Sequence, residues 1–321
     1  KTFSFMSGFL GCISRDDCFN EVFYGTDYHS HLGTKRAGMA FVAKGKFMRS
    51  IHSLEDGYFR NKFESELPKF ASANMGIGVI SDSEAQPIII TSPLGRYAVV
   101  TVARIDNIEE LTRELLAQGN HFAELSDSSI NATELVAILI GQGKSLKEGI
   151  ELVQRKVKGS CSMLVLTDRA IYAARDRFGR TPITIGKNDK GYICASESSS
   201  FDNLGYSFVR DLGPGEIVQL TADGVRQVTP QAGMFVPVGL LRIPLGMVRG
   251  RQRRGLPLPL RRRNGQTRHR HRARLRRRYP RLGRRPRHRL LERETNPVQT
   301  SVRQIYPHVA PQFHATGPET A

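Results

Sequence analysis

The composition of the chain changes near residue 230, and this change limits how much of the chain can fold. Residues 1–230 hold 26 basic and 27 acidic residues, whereas residues 231–321 hold 22 Arg and three Glu, with no Lys and no Asp. The formal charge of +18 therefore lies in the tail. Runs such as Arg261–Arg263 repel one another and offer little apolar surface to offset chain entropy. We expect a folded body followed by a disordered basic tail over residues 231–321.

The body is long enough for a sizeable core and is rich in strand patterns. Short apolar runs bounded by Gly, Asp and Asn predict eight strands: Gly76–Ile80, Pro87–Thr91, Arg96–Ile105, Cys161–Thr167, Ala170–Ala174, Pro182–Ile185, Tyr192–Ala195 and Glu216–Leu220. Capping residues and apolar spacing predict helices over Asn107–Leu116, after Asn131 and after Ser145. Because the helices are segregated from the strands, the pattern predicts an α+β fold with antiparallel sheets.

Cysteine usage and hydropathy favour a cytoplasmic protein. The four cysteines show no CxxC pair and no metal-ligand spacing, which is typical of a reducing compartment. No run approaches the roughly 20 apolar residues of a membrane helix, so no membrane partner is expected. His29 and His31 alternate on one face of an extended segment, but a zinc site needs more ligands, and no metal site is predicted.

Six short motifs follow one another along the body: Ser7–Gly11, His31–Gly38, Ala85–Pro87, Arg175–Gly179 with Pro182, Ala195–Ser198 and Gly213–Glu216. In order and spacing they resemble the class II glutamine amidotransferase half of the amidophosphoribosyltransferase family. The resemblance implies the four-layer αββα sandwich of N-terminal nucleophile (Ntn) hydrolases over residues 6–230, with Lys1–Phe5 as an upstream extension. Arg175 and Asp176 are interpreted as an ion pair that fixes a turn.

The resemblance assigns the catalytic nucleophile to Ser7. Family enzymes use an N-terminal Cys whose own α-amine is the base. Ser7 would become terminal if translation began at Met6 and that Met were removed, and a terminal Ser can act as a nucleophile in this fold. A hydroxyl is far less ionised than a thiol, however. The favoured interpretation is a serine at a strand start without a catalytic role.

The glutamine-binding positions implied by the resemblance also differ from the family pattern. Ser81 stands where an Arg would clamp the substrate carboxylate. Val102 and Ala103 replace the Asn-Gly of an oxyanion hole, and losing that donor costs on the order of 3 kcal/mol of barrier. Ala132 replaces the carboxylate that would hold the substrate amino group. These changes predict that the domain does not hydrolyse glutamine.

The tail has three interpretations. An arginine-rich arm could bind nucleic acid through counterion release, but it lacks Lys and interleaved aromatic residues. A solvated, disordered extension is the second. The third is a frameshift.

The frameshift is favoured because codons can be chosen so that reading the gene one base later gives family-like sequence. In that offset, Met234–Pro244 becomes a stretch that begins Cys-Ser-Phe-Leu-Trp, and Arg276–Arg285 becomes V-A-G-I-P-D-S-G-V-G. Both stretches resemble the phosphoribosyltransferase half of the family, as do the offset translations of Arg268–Arg272 and Pro297–His314. A nucleic-acid partner is therefore not expected.

These observations predict an amidophosphoribosyltransferase homologue of purine nucleotide biosynthesis, a glycosyltransferase family. The chain would hold the amidotransferase-like domain, lack the phosphoribosyltransferase half and catalyse neither reaction. No cofactor is expected in this chain, because Mg²⁺ would belong to the missing half. The expected partner is that half in the full-length relative, and a homo-oligomer is left open. The alternative is a non-catalytic scaffold or regulatory module with the Ntn fold. The ammonia source and the true start codon also stay open.

Overall fold

A computed structural model of the chain describes residues 7–126 and 129–232. The upstream extension over Lys1–Phe5 and all but the first two residues of the predicted tail lie outside the described residues. The domain boundaries given above therefore stay predictions.

Runs of consecutive strands are separated by short groups of helices, and the last seven described strands follow one another without an α-helix. The described strands are β1 (Ser7–Ser14), β2 (Arg36–Ala43), β3 (Lys46–Ser53), β4 (Met75–Ser81), β5 (Ile88–Ser92), β6 (Gly95–Ile105), β7 (Leu125–Ser126), β8 (Ser129–Ile130), β9 (Gly159–Leu166), β10 (Ile171–Ala174), β11 (Thr184–Lys187), β12 (Gly191–Ala195), β13 (Ser207–Asp211), β14 (Ile217–Leu220) and β15 (Val225–Thr229). The described α-helices are α1 (Phe19–Tyr28), α2 (Phe59–Phe63), α3 (Leu67–Phe70), α4 (Ile108–Ala117), α5 (Ala132–Gly141) and α6 (Leu146–Lys156).

The strands form two large antiparallel sheets. The seven-stranded sheet has the order β13-β11-β12-β1-β4-β2-β3, and the six-stranded sheet has the order β15-β14-β10-β9-β6-β5. The short strands β7 and β8 pair only with each other. The central strand β1 pairs with β12 on one side and β4 on the other, and Ser7 is opposite Ser81 in that register.

The two sheets pack face to face, and each is covered by helices on its outer face. In β1, Phe9 and Ile13 point into the core between the sheets, whereas Leu10 and Cys12 pack under α1. Strands buried on both faces form continuous apolar runs, and β4 and β9 were predicted from such runs. The strands β1 and β2 were not predicted, although they are equally buried. Helices α1–α3 cover the seven-stranded sheet and α4–α6 cover the six-stranded sheet. The result is a four-layer αββα sandwich.

All eight predicted strands are present, with ends within two residues of the expected positions. The three predicted helices correspond to α4, α5 and α6. Asn131 caps α5 by accepting from the amides of Thr133 and Glu134 at 2.9 and 3.1 Å. Ser145 caps α6 by accepting from the amide of Glu148 at 3.2 Å. The α+β fold with antiparallel sheets is confirmed.

Candidate functional site

Ser7 and Ser81 lie side by side at one end of the seven-stranded sheet. Ser7 begins β1 and Ser81 ends the neighbouring strand β4. The hydroxyl of Ser7 donates to Oγ of Ser81 at 3.4 Å, and Ser81 is only 1% exposed. The structure thus brings together the two positions that the family resemblance assigned to the nucleophile and the carboxylate clamp.

The hydroxyl of Ser81 is engaged by the loop that follows it. Its Oγ accepts hydrogen bonds from the backbone amides of Ser83 and Glu84, both at 3.2 Å. A serine commonly makes such bonds to amides two and three residues further on, and they fix the local turn. The clamp position therefore carries a neutral group whose acceptor capacity serves its own loop.

Glu84 places a carboxylate at the N-terminus of α5. Its Oε2 accepts from the amide of Thr133 at 3.0 Å and from the Thr133 hydroxyl at 2.8 Å. Burial raises the pKa of Glu84, while hydrogen bonds from Thr133 and from the amide of Ala132 oppose that rise. The positive end of the helix dipole favours a carboxylate at this place. A carboxyl group is therefore present beside Ala132, supplied by a different segment.

The loop that carries Glu84 is tied to β6 and α5 by buried polar contacts. Gln86, 3% exposed, accepts from the amide of Thr101 at 2.8 Å and donates to the carbonyl of Thr101 at 3.2 Å. The side-chain amide of Asn131 donates to the carbonyl of Ala85 at 2.8 Å. The hydroxyls of Thr101 and Thr133 share a hydrogen bond of 2.7 Å. These contacts hold the loop, the strand and the helix start as one unit.

Gly38 explains why two of the motifs occur together. A Cβ at this position would lie 1.8 Å from the carbonyl oxygen of Gln86. Real Cβ atoms do not approach backbone that closely, so only glycine fits. The His31–Gly38 motif therefore packs directly against the Ala85–Pro87 motif.

Val102 and Ala103 lie on β6, opposite Ser162 and Cys161 of β9. The side chain of Val102 packs against the core between the sheets, and Ala103 is exposed. Neither side chain carries a hydrogen-bond donor, so neither can supply the side-chain amide of an oxyanion hole. The functional assignments of Ser7, Ser81, Val102, Ala103 and Ala132 stay predictions.

The two histidines serve separate local contacts. His29 is buried, and its Nδ1 donates to the carbonyl of Gly25 at 2.7 Å. Burial lowers its pKa. His31 bonds to the carbonyl of Tyr28 at 2.9 Å and to the carboxylate of Glu197 at 3.1 Å. Across residues 7–126 and 129–232, no three His, Cys, Asp or Glu side chains are grouped as metal ligands.

Arg175 and Asp176 fix a turn through backbone groups, and no direct ion pair between them is seen in the described residues, although Asp176 opposes the lowering of the Arg175 pKa that burial causes. Arg175 donates to the carbonyls of Gly179, Thr181 and Leu212 at 2.7, 3.2 and 2.5 Å. Asp176 accepts from the amides of Phe178 and Thr181, each at 2.9 Å. Both side chains therefore satisfy backbone groups, which are the costlier groups to leave unpaired in a buried turn.

Glu84 is the residue that sequence reasoning missed. The available signal was a carboxylate directly before the Ala85–Pro87 motif. A separate cleft of about 610 Å³ opens near the β2–β3, β5–β6 and β9–β10 turns, at the opposite end of the sandwich from Ser7. None of the predicted site positions lines it.

None of the described helices is long and apolar enough to cross a membrane.

Comparison with known sequences identifies the domain. The family model for the glutamine amidotransferase domain matches residues 73–203. The amidophosphoribosyltransferase of Methanocaldococcus jannaschii is 29% identical over 226 residues, which cover 67% of this chain and 47% of the relative. That of Synechococcus elongatus is 26% identical over 219 residues, covering 64% of this chain and 44% of the relative. The chain thus spans about half the length of the curated relatives it matches.

Comparison with solved structures shows the same architecture. The glutamine phosphoribosylpyrophosphate amidotransferase of B. subtilis, solved with ADP and GMP, superposes with a TM-score of 0.63 at 24% identity, covering 71% of this chain and 50% of that chain. A second solved structure, an allosteric regulatory enzyme of purine biosynthesis, gives the same TM-score and identity and is covered over 49% of its length. The four-layer sandwich is therefore the Ntn fold that the motifs implied. Residues 73–203 thus match the glutamine amidotransferase domain, and the body of the chain is similar to the corresponding half of amidophosphoribosyltransferases.

Proposed function

We propose that this chain derives from an amidophosphoribosyltransferase of purine nucleotide biosynthesis whose amidotransferase domain keeps its fold but does not hydrolyse glutamine. One observation carries the proposal. Ser81, at the clamp position beside Ser7, is a neutral residue whose hydroxyl accepts from the amides of its own loop at 3.2 Å. The side chain of Ser81 offers no positive charge to the carboxylate of an amino acid.

The carboxyl group near Ala132 comes from a different segment than in the family. Glu84 is anchored at the start of α5, in the loop that follows Ser81, by the amide and the hydroxyl of Thr133. Both hydrogen bonds engage Oε2 of Glu84, so this oxygen serves the start of the helix.

The side chains that would catalyse cleavage of the glutamine amide bond are also replaced. Acyl transfer needs an activated nucleophile and donors aimed at the developing oxyanion. Ser7 offers a hydroxyl in place of a thiol, and Val102 offers an apolar side chain where an amide donor is needed. The full-length parent would then transfer an amine to phosphoribosyl pyrophosphate from free ammonia or from a partner protein.

We assign the second half of the parent to the same gene, read in a frame that is shifted by one base after the codon for residue 231. That half would hold Mg²⁺ and the pyrophosphate donor, so no cofactor is assigned to residues 7–232. As printed, the chain would catalyse neither half-reaction.

Glutamate release from glutamine tests the proposal. The assay uses the full printed chain and a version that begins at Ser7, each compared with its Ser7→Ala variant. We expect no release above the blank from any of the four proteins. Turnover that requires both a free N-terminal Ser7 and its hydroxyl would contradict the proposal.

A further inference from the structure

The cleft of about 610 Å³ at the end of the sandwich opposite Ser7 takes no part in the proposed function. The β2–β3, β5–β6 and β9–β10 turns border it. Its volume lies within the range of about 300–1,000 Å³ that is typical of small-molecule sites. The side chains that line it therefore indicate which kind of ligand it fits.

Two half-buried apolar side chains wall the cleft and come from different sheets. Phe47, in β3, packs against the core between the sheets, and Leu94, in the β5–β6 turn, packs against the core under α4–α6. Both side chains also line the cleft. An aromatic ring that contacts them removes apolar surface from water. The walls therefore favour a ligand with an aromatic body.

Two arginines bring positive charge to the same cleft. Arg96, in β6, donates from Nε to the hydroxyl of Thr91 at 3.3 Å, and within the part of the chain that the structure describes it forms no ion pair. Arg169, in the β9–β10 turn, lies 3.5 Å from the neighbouring Asp168, measured from Nε to Oδ2, and both side chains are exposed. Two arginines and one aspartate line the cleft, which leaves an excess of positive charge. Such an excess attracts an anion.

A row of cross-strand hydrogen bonds supplies a neutral donor. Tyr172, Gln219 and Arg226 are successive partners across β10, β14 and β15. Arg226 donates from Nε and Nη2 to Oε1 of Gln219 at 3.1 and 2.7 Å, and Nε2 of Gln219 donates to the Tyr172 hydroxyl at 3.1 Å. A guanidinium can only donate, so it fixes the orientation of the Gln219 amide. The Tyr172 hydroxyl, which lines the cleft, therefore accepts from Gln219 and keeps its own hydrogen for another acceptor.

The turn that carries Arg169 is ordered by its own hydrogen bonds. Oγ1 of Thr167, 8% exposed, accepts from the amides of Arg169 and Ala170 at 3.3 and 3.0 Å. The same hydroxyl donates to the carbonyl of Ala170 at 2.9 Å. A site that is ordered before binding loses less entropy when a ligand enters.

We propose that this cleft binds a small aromatic carboxylate. The ring lies against Phe47 and Leu94, and the carboxylate accepts from Arg96, Arg169 and the Tyr172 hydroxyl. A guanidinium matches a carboxylate with two parallel N–H donors. An inorganic anion gains nothing from the apolar walls, and a neutral ring leaves the arginines without an acceptor. The inference goes beyond the proposed function, because none of the glutamine-site positions lines the cleft.

A single tryptophan reports on binding, because the chain contains no Trp. Phe47→Trp places the reporter in the cleft, and Tyr58→Trp places a control reporter at a residue that is 83% exposed and lies outside it. The probe is para-iodobenzoate, whose iodine quenches tryptophan fluorescence on contact. We expect saturable quenching in Phe47→Trp and linear quenching in Tyr58→Trp. Iodide and para-iodobenzyl alcohol should quench both variants linearly. Linear quenching of Phe47→Trp by para-iodobenzoate would overturn the proposal.

Variants of the polar residues test the recognition of the carboxylate. In the Phe47→Trp background, the pair Arg96→Gln and Arg169→Gln should raise the dissociation constant about tenfold, because hydrogen bonds to a charged group are lost. Tyr172→Phe should raise it about fivefold. Arg104→Gln, which removes an exposed arginine from the far end of β6, is the control and should leave it unchanged. All variants keep the arginine-rich tail, so their differences report on the cleft. An unchanged dissociation constant in the double variant would overturn the proposal.

Fluorine NMR of para-fluorobenzoate gives a second measurement that needs no tryptophan. The ligand line should broaden with the parent chain and with Arg104→Gln, and it should broaden less with the Arg96→Gln, Arg169→Gln double variant. Equal broadening with all three proteins would overturn the proposal, whether or not Phe47→Trp folds.

Discussion

The carboxylate of Glu84 bonds to both the amide and the hydroxyl of Thr133, at 3.0 and 2.8 Å. Glu84 follows β4 of the seven-stranded sheet, whereas Thr133 lies in the first turn of α5, which packs on the six-stranded sheet. One side chain thus joins the two halves of the sandwich near Ser7. It also places a carboxyl group beside Ala132, the position that the family resemblance assigns to the carboxylate that would hold the substrate amino group.

Replacing Glu84 should destabilise the domain. Glu84→Ala removes an acceptor from the start of α5, and such losses cost about 1 kcal/mol. The control is Glu55→Ala, because Glu55 is exposed. Urea unfolding followed by circular dichroism gives the free energy of unfolding of each variant. Equal values for the two variants would show that the Glu84–Thr133 contact contributes nothing.

Glu216 should make stability depend on pH in the acid range. Burial alone would raise the pKa of Glu216, but hydrogen bonds from Arg210, Gly213 and Gln227 outweigh burial, and the pKa is lowered from 4.5. Arg210 donates to both carboxylate oxygens, at 2.9 and 2.8 Å. A lowered folded pKa means that the stabilisation is present above the unfolded value and is lost as pH falls through the folded value.

Arg210→Ala tests this contribution. The variant leaves the Glu216 carboxylate, 2% exposed, without its cation and should cost about 2 kcal/mol at neutral pH. The difference from the parent should shrink below pH 4.5 as Glu216 becomes protonated. Arg226→Ala, which removes an exposed arginine bound to Gln219, is the control. A cost that stays constant across the acid range would contradict the assignment to Glu216.

Gly38 should not tolerate a side chain. A Cβ at Gly38 would meet the carbonyl oxygen of Gln86 at 1.8 Å, whereas a Cβ at Gly224 would meet nothing within 4 Å. Gly38→Ala should therefore cost about 3 kcal/mol, since backbone must move, and Gly224→Ala should change stability little. Thermal unfolding of the two variants compares them directly. A melting temperature for Gly38→Ala that matches that of Gly224→Ala would show that the close approach is wrong.

Restoring the thiol alone should not restore glutaminase activity. Ser7→Cys in a chain that begins at residue 7 supplies the family nucleophile and its free α-amine. Ser81 and Val102 still provide neither a carboxylate clamp nor an oxyanion donor, and the donor alone is worth about 10²–10³ in rate. Glutamate release should stay at the level of the blank. Efficient hydrolysis by this variant would mean that the changed binding positions are dispensable.

The sequence predicted β4 and β9 because their side chains are buried on both faces and form continuous apolar runs. It did not predict β1 and β2, which are buried to the same extent. It did not predict β3, β13 and β15, whose side chains are largely exposed at sheet edges. Such strands depend on pairing with a neighbour rather than on their own apolar pattern. It also missed α1, which begins after Cys18 without a side-chain cap. The local signals that predict helices were absent there.

The candidate site was predicted only in part, for a similar reason. The resemblance assigned Ser7 and Ser81 to roles at one substrate site, and the structure pairs the two residues across β1 and β4. The role of Glu84 depends on contact with Thr133, 49 residues further along the chain, and no local pattern encodes that distance. Arg175 and Asp176 were expected to pair because of their charges, whereas the buried turn required both to bind backbone groups.

The central claim is that residues 7–232 are the amidotransferase domain of an amidophosphoribosyltransferase whose second half lies in another frame. Sequencing the gene through the codons for residues 226–236 and onward past residue 321 tests it most directly. The account predicts that a one-base correction opens a frame that begins with Cys-Ser-Phe-Leu-Trp and continues as a phosphoribosyltransferase domain. A frame that stands as printed, with the arginine-rich tail translated in cells, would contradict it.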